Sequence, residues 1–336
     1  MDYFIIQHKT SMKKNKKILI TGITGQDGLF LVKELLQNNS KLEVYGVSRD
    51  SDTKTFYSNL AYLNNDIDKN NIKILNIEMK NKEKVTTLIS DLNPNYIYNL
   101  SGPSSVYDSI TNPSLGEEIV TIFNNIVDAC VDTKIFPNFF QASSSEMYGK
   151  NTSIILNEDS TFMPNSPYGN AKLKNHKEVS SLRKKYDWNI VSGIMFNHES
   201  EFRKNSYLFM KIINYLIDKD NLANKKLVLG GLDLKRDWSY AEDFVKGIVS
   251  MVNSFLLEDF VLGSGKSTSI KTVVEIAFSF FNLDWNDFVE IDNTILRNED
   301  PNNRVSDPGK IKKYLNWEAQ TGIEEIVEKI IKFKLS

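Results

Sequence analysis

The chain has a single cysteine, Cys130, in 336 residues, so no intrachain disulfide forms. A reducing, cytoplasmic setting is expected on that ground. Neither sign of charge dominates: 41 Lys and Arg against 43 Asp and Glu give a formal net charge of −2. No broad field draws the chain to nucleic acid or to a membrane, and an anionic ligand must be held by local positive groups. Long apolar runs are missing too. Tyr3-Phe4-Ile5-Ile6 is too short for a signal-peptide core, and nothing approaches a membrane span. There are no internal repeats and no low-complexity linker, and no metal site is expected.

What is present suits a large globular chain. A length of 336 residues exceeds the roughly 250–300 at which single cores stop growing. One large α/β domain with a smaller appended lobe is the expectation. Lys17-Ile18-Leu19-Ile20-Thr21 reads as a strand, and Gln26 to Gln37 carries Leu29, Leu31, Val32, Leu35 and Leu36 at helical spacing. Further strands are predicted at Val44 to Val47, Ile72 to Leu75, Tyr96 to Asn99, Asn138 to Ala142 and Asn189 to Ile194, with a helix at Lys82 to Leu92. Strands alternating with helices predict an α/β fold with a doubly wound parallel sheet. The expected division is an extension over 1–16, the sheet domain over 17–196 with a return near 237–252, and a substrate lobe mainly over 197–336.

Gly22-Ile23-Thr24-Gly25-Gln26-Asp27-Gly28 follows the first strand and opens the first helix. Glycines there let the backbone approach a pyrophosphate at the helix N-terminus. The alternative is a glycine turn that merely caps a strand. Arg49 stands where the second strand should end, followed by Asp50. An arginine at that point accommodates a 2′-phosphate, which favours NADP over NAD; a solvated Arg-Asp pair is the blander reading.

Tyr168-Gly169-Asn170-Ala171-Lys172 puts a tyrosine and a lysine four residues apart, on one helix face, just after Ser166-Pro167. The ammonium can lower the phenol pKa, making a base for a sugar hydroxyl during hydride transfer. One crossover earlier, a strand ends in Ser143-Ser144-Ser145-Glu146. A serine there can hydrogen-bond the substrate oxygen. Glu146 discriminates between chemistries, because a carboxylate beside this group can take the C5 proton once C4 is a ketone, and hydroxide then leaves C6. A carboxylate that complements a helix dipole is the alternative.

These residues carry a resemblance to the GDP-mannose 4,6-dehydratases, members of the extended short-chain dehydrogenases. The similar runs are Thr21 to Gly28, Gln141 to Gly149, Ser166 to Lys172, Phe196-Asn197-His198-Glu199-Ser200 and Lys235-Arg236-Asp237-Trp238. The resemblance implies a Rossmann-type domain, bound NADP, a GDP-sugar substrate and a homodimer or homotetramer. It implies catalytic roles for Ser144, Glu146, Tyr168 and Lys172. Cofactor contacts are implied for Gly22, Thr24, Gly25, Gln26, Asp27, Gly28, Arg49, Glu78, Leu100, Tyr168 and Lys172. Substrate contacts are implied for Ser104, Glu146, Asn197, Lys211, Arg236 and Arg297. The chain departs from the family at Ser101 to Val106, at Glu201 to Asn205 and at Met210. GDP-manno-heptose or another GDP-hexose therefore stands beside GDP-mannose. A 4-epimerase or C4 dehydrogenase, which needs no Glu146, is the competing enzyme reading, and a non-catalytic NADP-binding protein is the competing class.

Overall fold

A computed structural model describes residues 16–39, 41–49, 53–292, 294 and 303–336. Seven parallel strands form the main sheet. They are β1 (Lys17–Thr21), β2 (Glu43–Ser48), β3 (Ile72–Asn76), β4 (Tyr96–Asn99), β5 (Asn138–Ser144), β6 (Ile190–Met195) and β7 (Phe260–Leu262). Their spatial order is β7-β6-β5-β4-β1-β2-β3. The strand order reverses between β1 and β4, the point where doubly wound sheets bind ligands outside their carboxyl ends.

The strands are apolar because both faces are covered. Leu29, Phe30 and Val32 of the helix Gln26–Asn38 share one core with Phe244, Val245 and Ile248 of the helix Ala241–Ser254. On the other face Val85, Phe123, Ile126 and Val179 pack from the helices Lys82–Leu92, Ser114–Thr133 and Pro167–Tyr186. A buried polar chain ties the carboxyl ends together. Thr21 Oγ1 donates to Asn99 Oδ1 (2.6 Å), and Asn99 Nδ2 donates to Gln141 Oε1 (2.7 Å).

After β6 the chain leaves the sheet. Asn197–Glu199 pairs with Trp238–Tyr240, and the helix Ala241–Ser254 leads back to β7 at the sheet edge. The segment that returns to the sheet thus runs through to Leu262, past the expected Val252; the three residues of β7 are too few to announce a strand. A four-stranded sheet outside the main one orders Thr268–Ser269, Lys235–Arg236, Asn303–Ser306 and Ile155–Leu156. It joins a segment after β5 to the last third of the chain.

Candidate active site

The glycine turn makes the floor of a cleft. Gly22 has φ +75°, and a Cβ there would stand 3.0 Å from Leu100 O. A Cβ on Gly28 would stand 2.5 Å from Ile23 O. Gly25 caps the helix Gln26–Asn38 with no side-chain bond to its first-turn N–H groups. A backbone bare of side chains at an uncapped helix N-terminus suits a pyrophosphate. Gly28→Ala should destabilise the fold by about 1–3 kcal/mol, since Ile23 backbone cannot yield cheaply, and should weaken cofactor retention. Denaturant melts and a count of co-purified nucleotide check both; an unchanged melt would contradict the tight packing.

Two cavities meet above this floor. One, of about 470 Å³, is lined by Gly22, Thr24, Gly25, Gln26, Asp27, Gly28, Arg49, Glu78 and Leu100. The other, of about 590 Å³, is lined by Ser104, Ser144, Glu146, Tyr168, Lys172, Asn197 and Arg236. Asp27, Leu100, Ser104, Arg203 and Tyr207 border both. Volumes in this range suit a small-molecule ligand.

The side chains expected to react come from two elements. β5 delivers Ser144 and a single 3-10 turn, Ser145–Met147, that carries Glu146. Ser144 Oγ accepts from Glu146 N at 3.2 Å. The helix Pro167–Tyr186 delivers Tyr168 and Lys172; its cap Ser166 accepts from Gly169 N at 3.0 Å. A Cβ on Gly169 would stand 2.6 Å from Glu146 O, so glycine lets this helix press against the Glu146 turn.

The electrostatics differ from the spacing-based expectation at Tyr168. Burial pushes the phenol well above its ordinary pKa, and a hydrogen bond with Ser144 offsets only part of that. Lys172 Nζ donates to Ala142 O at 2.9 Å and lies 5.5 Å from the Tyr168 ring centroid. Burial lowers the lysine to about 8, against the pull of Asp27. Desolvation thus outweighs the Ser144 hydrogen bond at the phenol.

Asp27 is paired with a histidine. His198 Nε2 lies 3.1 Å from its Oδ1, and the imidazole stacks on Phe244 with centroids 4.5 Å apart. Burial would raise the Asp27 carboxyl, yet His198 holds it below the ordinary value; the same pair lifts His198 above its own, against burial. Gln26 Nε2 donates to His198 O (3.0 Å) and Gln26 Oε1 accepts from Ser200 Oγ (2.8 Å). The glycine turn is thereby latched to the segment after β6.

Arg203 and His198 also border the clefts, with no site role expected for either from the sequence. Arg203 lies over the Tyr207 ring (3.8 Å to the centroid), with Nε 3.5 Å from Glu199 Oε2. Glu199 ends a strand and Arg203 follows in irregular backbone, so their spacing carries no helical signal. Among the expected substrate residues, Ser104 hydrogen-bonds Tyr207 OH at 2.9 Å across the cleft. Asn197 and Arg236 line the larger cavity. Lys211 does not line either cavity: its Nζ donates to Val228 O at 2.7 Å. Arg297 and Asp50 lie outside the described residues. Arg49 borders the smaller cavity, largely exposed at 68%, with Nη1 3.0 Å from Glu118 Oε1.

A family model described as GDP-mannose 4,6 dehydratase matches residues 19–330. The GDP-mannose 4,6 dehydratase 2 of Arabidopsis thaliana is 30% identical over 96% of this chain and 87% of its own. The Homo sapiens GDP-mannose 4,6 dehydratase is 30% identical over 95% and 91%. Among solved structures, a dTDP-glucose 4,6-dehydratase from Streptomyces venezuelae superposes with a TM-score of 0.82 at 19% identity, covering 95% of this chain and 97% of that one. That likeness shows the fold.

Proposed function

The chain belongs to the GDP-mannose 4,6 dehydratase family, and from that premise we propose that it is an NADP-dependent hydro-lyase converting a GDP-sugar to its 4-keto-6-deoxy form. The observation that carries this reading is the convergence of Glu146 with Ser144, Tyr168 and Lys172 on one cavity wall. An epimerase or C4 dehydrogenase has no use for the carboxylate.

Tyr168 takes the C4 hydroxyl proton, with Ser144 hydrogen-bonded to its phenol and Lys172 countering the charge that develops. A bound nicotinamide would supply reversible hydride exchange, so that the hydride leaving C4 could be returned at C6. The C4 ketone acidifies the C5 proton, and Glu146 removes it. Of the two protons taken, one departs with the C6 hydroxide as water and the other returns to C5. The sugar loses one water, and no cofactor is consumed. Glu78, Leu100 and the glycine turn would hold the cofactor, and Ser104, Asn197 and Arg236 the substrate.

Arg49 supports NADP. A guanidinium offers a charge-assisted fork to a 2′-phosphate. Arg49→Ala should weaken NADP binding by a larger factor than NAD binding, read by titration of each cofactor. Equal losses would give Arg49 to the Glu118 ion pair alone.

The function is tested by offering the purified enzyme GDP-mannose, GDP-manno-heptose, UDP-glucose and dTDP-glucose separately, with mass spectrometry of the product. Loss of one water from a GDP-sugar is expected. Loss of water from only the UDP- or dTDP-sugar would move the substrate class, and no loss from any would remove the dehydratase reading.

A further inference from the structure

Arg304 is 4% exposed and lines neither cavity. Burying a guanidinium is costly unless its contacts compensate, so its contacts indicate what it is for. Nη1 lies 3.5 Å from Glu146 Oε1, and Nη2 donates to Gly149 O at 2.8 Å. Both contacts fall on the short stretch after β5. Arg304 thus grips the Glu146 turn at its carboxylate and again three residues on.

The topology explains how a residue 158 positions away arrives there. Arg304 is in register with Arg236 on the parallel neighbour strand, so the two side chains leave the same face. Arg236 opens onto the larger cavity, whereas Arg304 reaches the Glu146 turn from within the protein. The next two residues, Val305 and Ser306, pair with Ile155 and Leu156, the strand that follows the turn. Backbone and side chain of one strand therefore fasten the segment that bears Glu146.

We propose that Arg304 is a positioning residue for Glu146, serving the elimination step and not the first hydride transfer. The inference rests on the reading of Glu146 as the C5 base. Ser144, Tyr168 and Lys172 hold their own contacts to Glu146 N, Ser144 and Ala142 O, none of which runs through Arg304. Loss of the guanidinium should thus unsettle the carboxylate and spare the trio that oxidises C4. A misplacement of about 1 Å in a reacting group can cost on the order of 10²-fold.

The test uses the cofactor-loaded enzyme with GDP-mannose and follows two signals in each variant. One is the rise of nicotinamide absorbance, which reports C4 oxidation. The other is incorporation of solvent deuterium at C5, which reports proton abstraction. Arg304→Met should leave the first within about twofold and slow the second by about 10²-fold; Arg304→Lys should recover part of the second. Should Arg304→Met fail to fold, Arg304→Lys and Arg304→Gln read the same ratio. An unchanged ratio of the two rates in every folded variant, whether both are intact or both fall together, overturns the proposal and leaves Arg304 a fold-holding residue. Full C5 exchange in Glu146→Gln, by contrast, would defeat the underlying reading of Glu146.

Discussion

Glu146→Gln is expected to oxidise the sugar and then stall. The amide keeps the size of the carboxylate and much of its hydrogen bonding, but it cannot accept the C5 proton. Ser144, Tyr168 and Lys172 remain in place, so hydride should still leave C4. The mutant should hold reduced cofactor, visible by its absorbance, and release 4-keto-6-deoxy product more slowly by about 10²–10⁴, the usual loss for a positioned acid–base group. Solvent deuterium should fail to enter C5. Product formation at the wild-type rate would mean that another group removes the proton. Glu146 is the acid of the β5 end that lines the larger cavity beside the trio, which is why the whole elimination step is assigned to it.

Tyr168→Phe should fail one step earlier. Without the phenol oxygen nothing takes the C4 hydroxyl proton as hydride departs, and a loss of about 10²–10⁴ in the first step is expected. No reduced cofactor should accumulate, in contrast to Glu146→Gln. The two variants together separate oxidation from elimination. Ser144 alone cannot compensate, since its Oγ already accepts from Glu146 N and contacts Tyr168. Rapid-mixing absorbance gives the rate directly; a burst of reduction in Tyr168→Phe equal to wild type would place the base elsewhere.

The parts of this arrangement legible in the sequence are those that lie close together along it. β1, the glycine turn and the helix Gln26–Asn38 form one continuous stretch, with a run of apolar residues giving way to glycine and then to helical spacing. Tyr168 and Lys172 are one helical turn apart, and their cap is two residues upstream of Tyr168. The rest needed long-range pairing. β7 joins the sheet only because β6 offers it an edge, and three residues carry too little pattern to predict that. Arg304 belongs beside Glu146 through a sheet of four short strands drawn from residues 155 to 306. The phenol's raised pKa likewise follows from burial, which spacing does not report. Lys211 illustrates the same limit: its Nζ donates to Val228 O, a contact that its place in the sequence does not announce.

The most direct test of the account follows one atom. GDP-mannose bearing deuterium at C4 is turned over by the wild-type enzyme, and the product is analysed for the label's position. Internal hydride transfer predicts deuterium at C6 of a 4-keto-6-deoxy product, with the cofactor unlabelled and unconsumed after many turnovers. Deuterium at the inverted C4 of an otherwise intact sugar would establish an epimerase, and deuterium on stoichiometrically released reduced cofactor a simple dehydrogenase; either result contradicts the account.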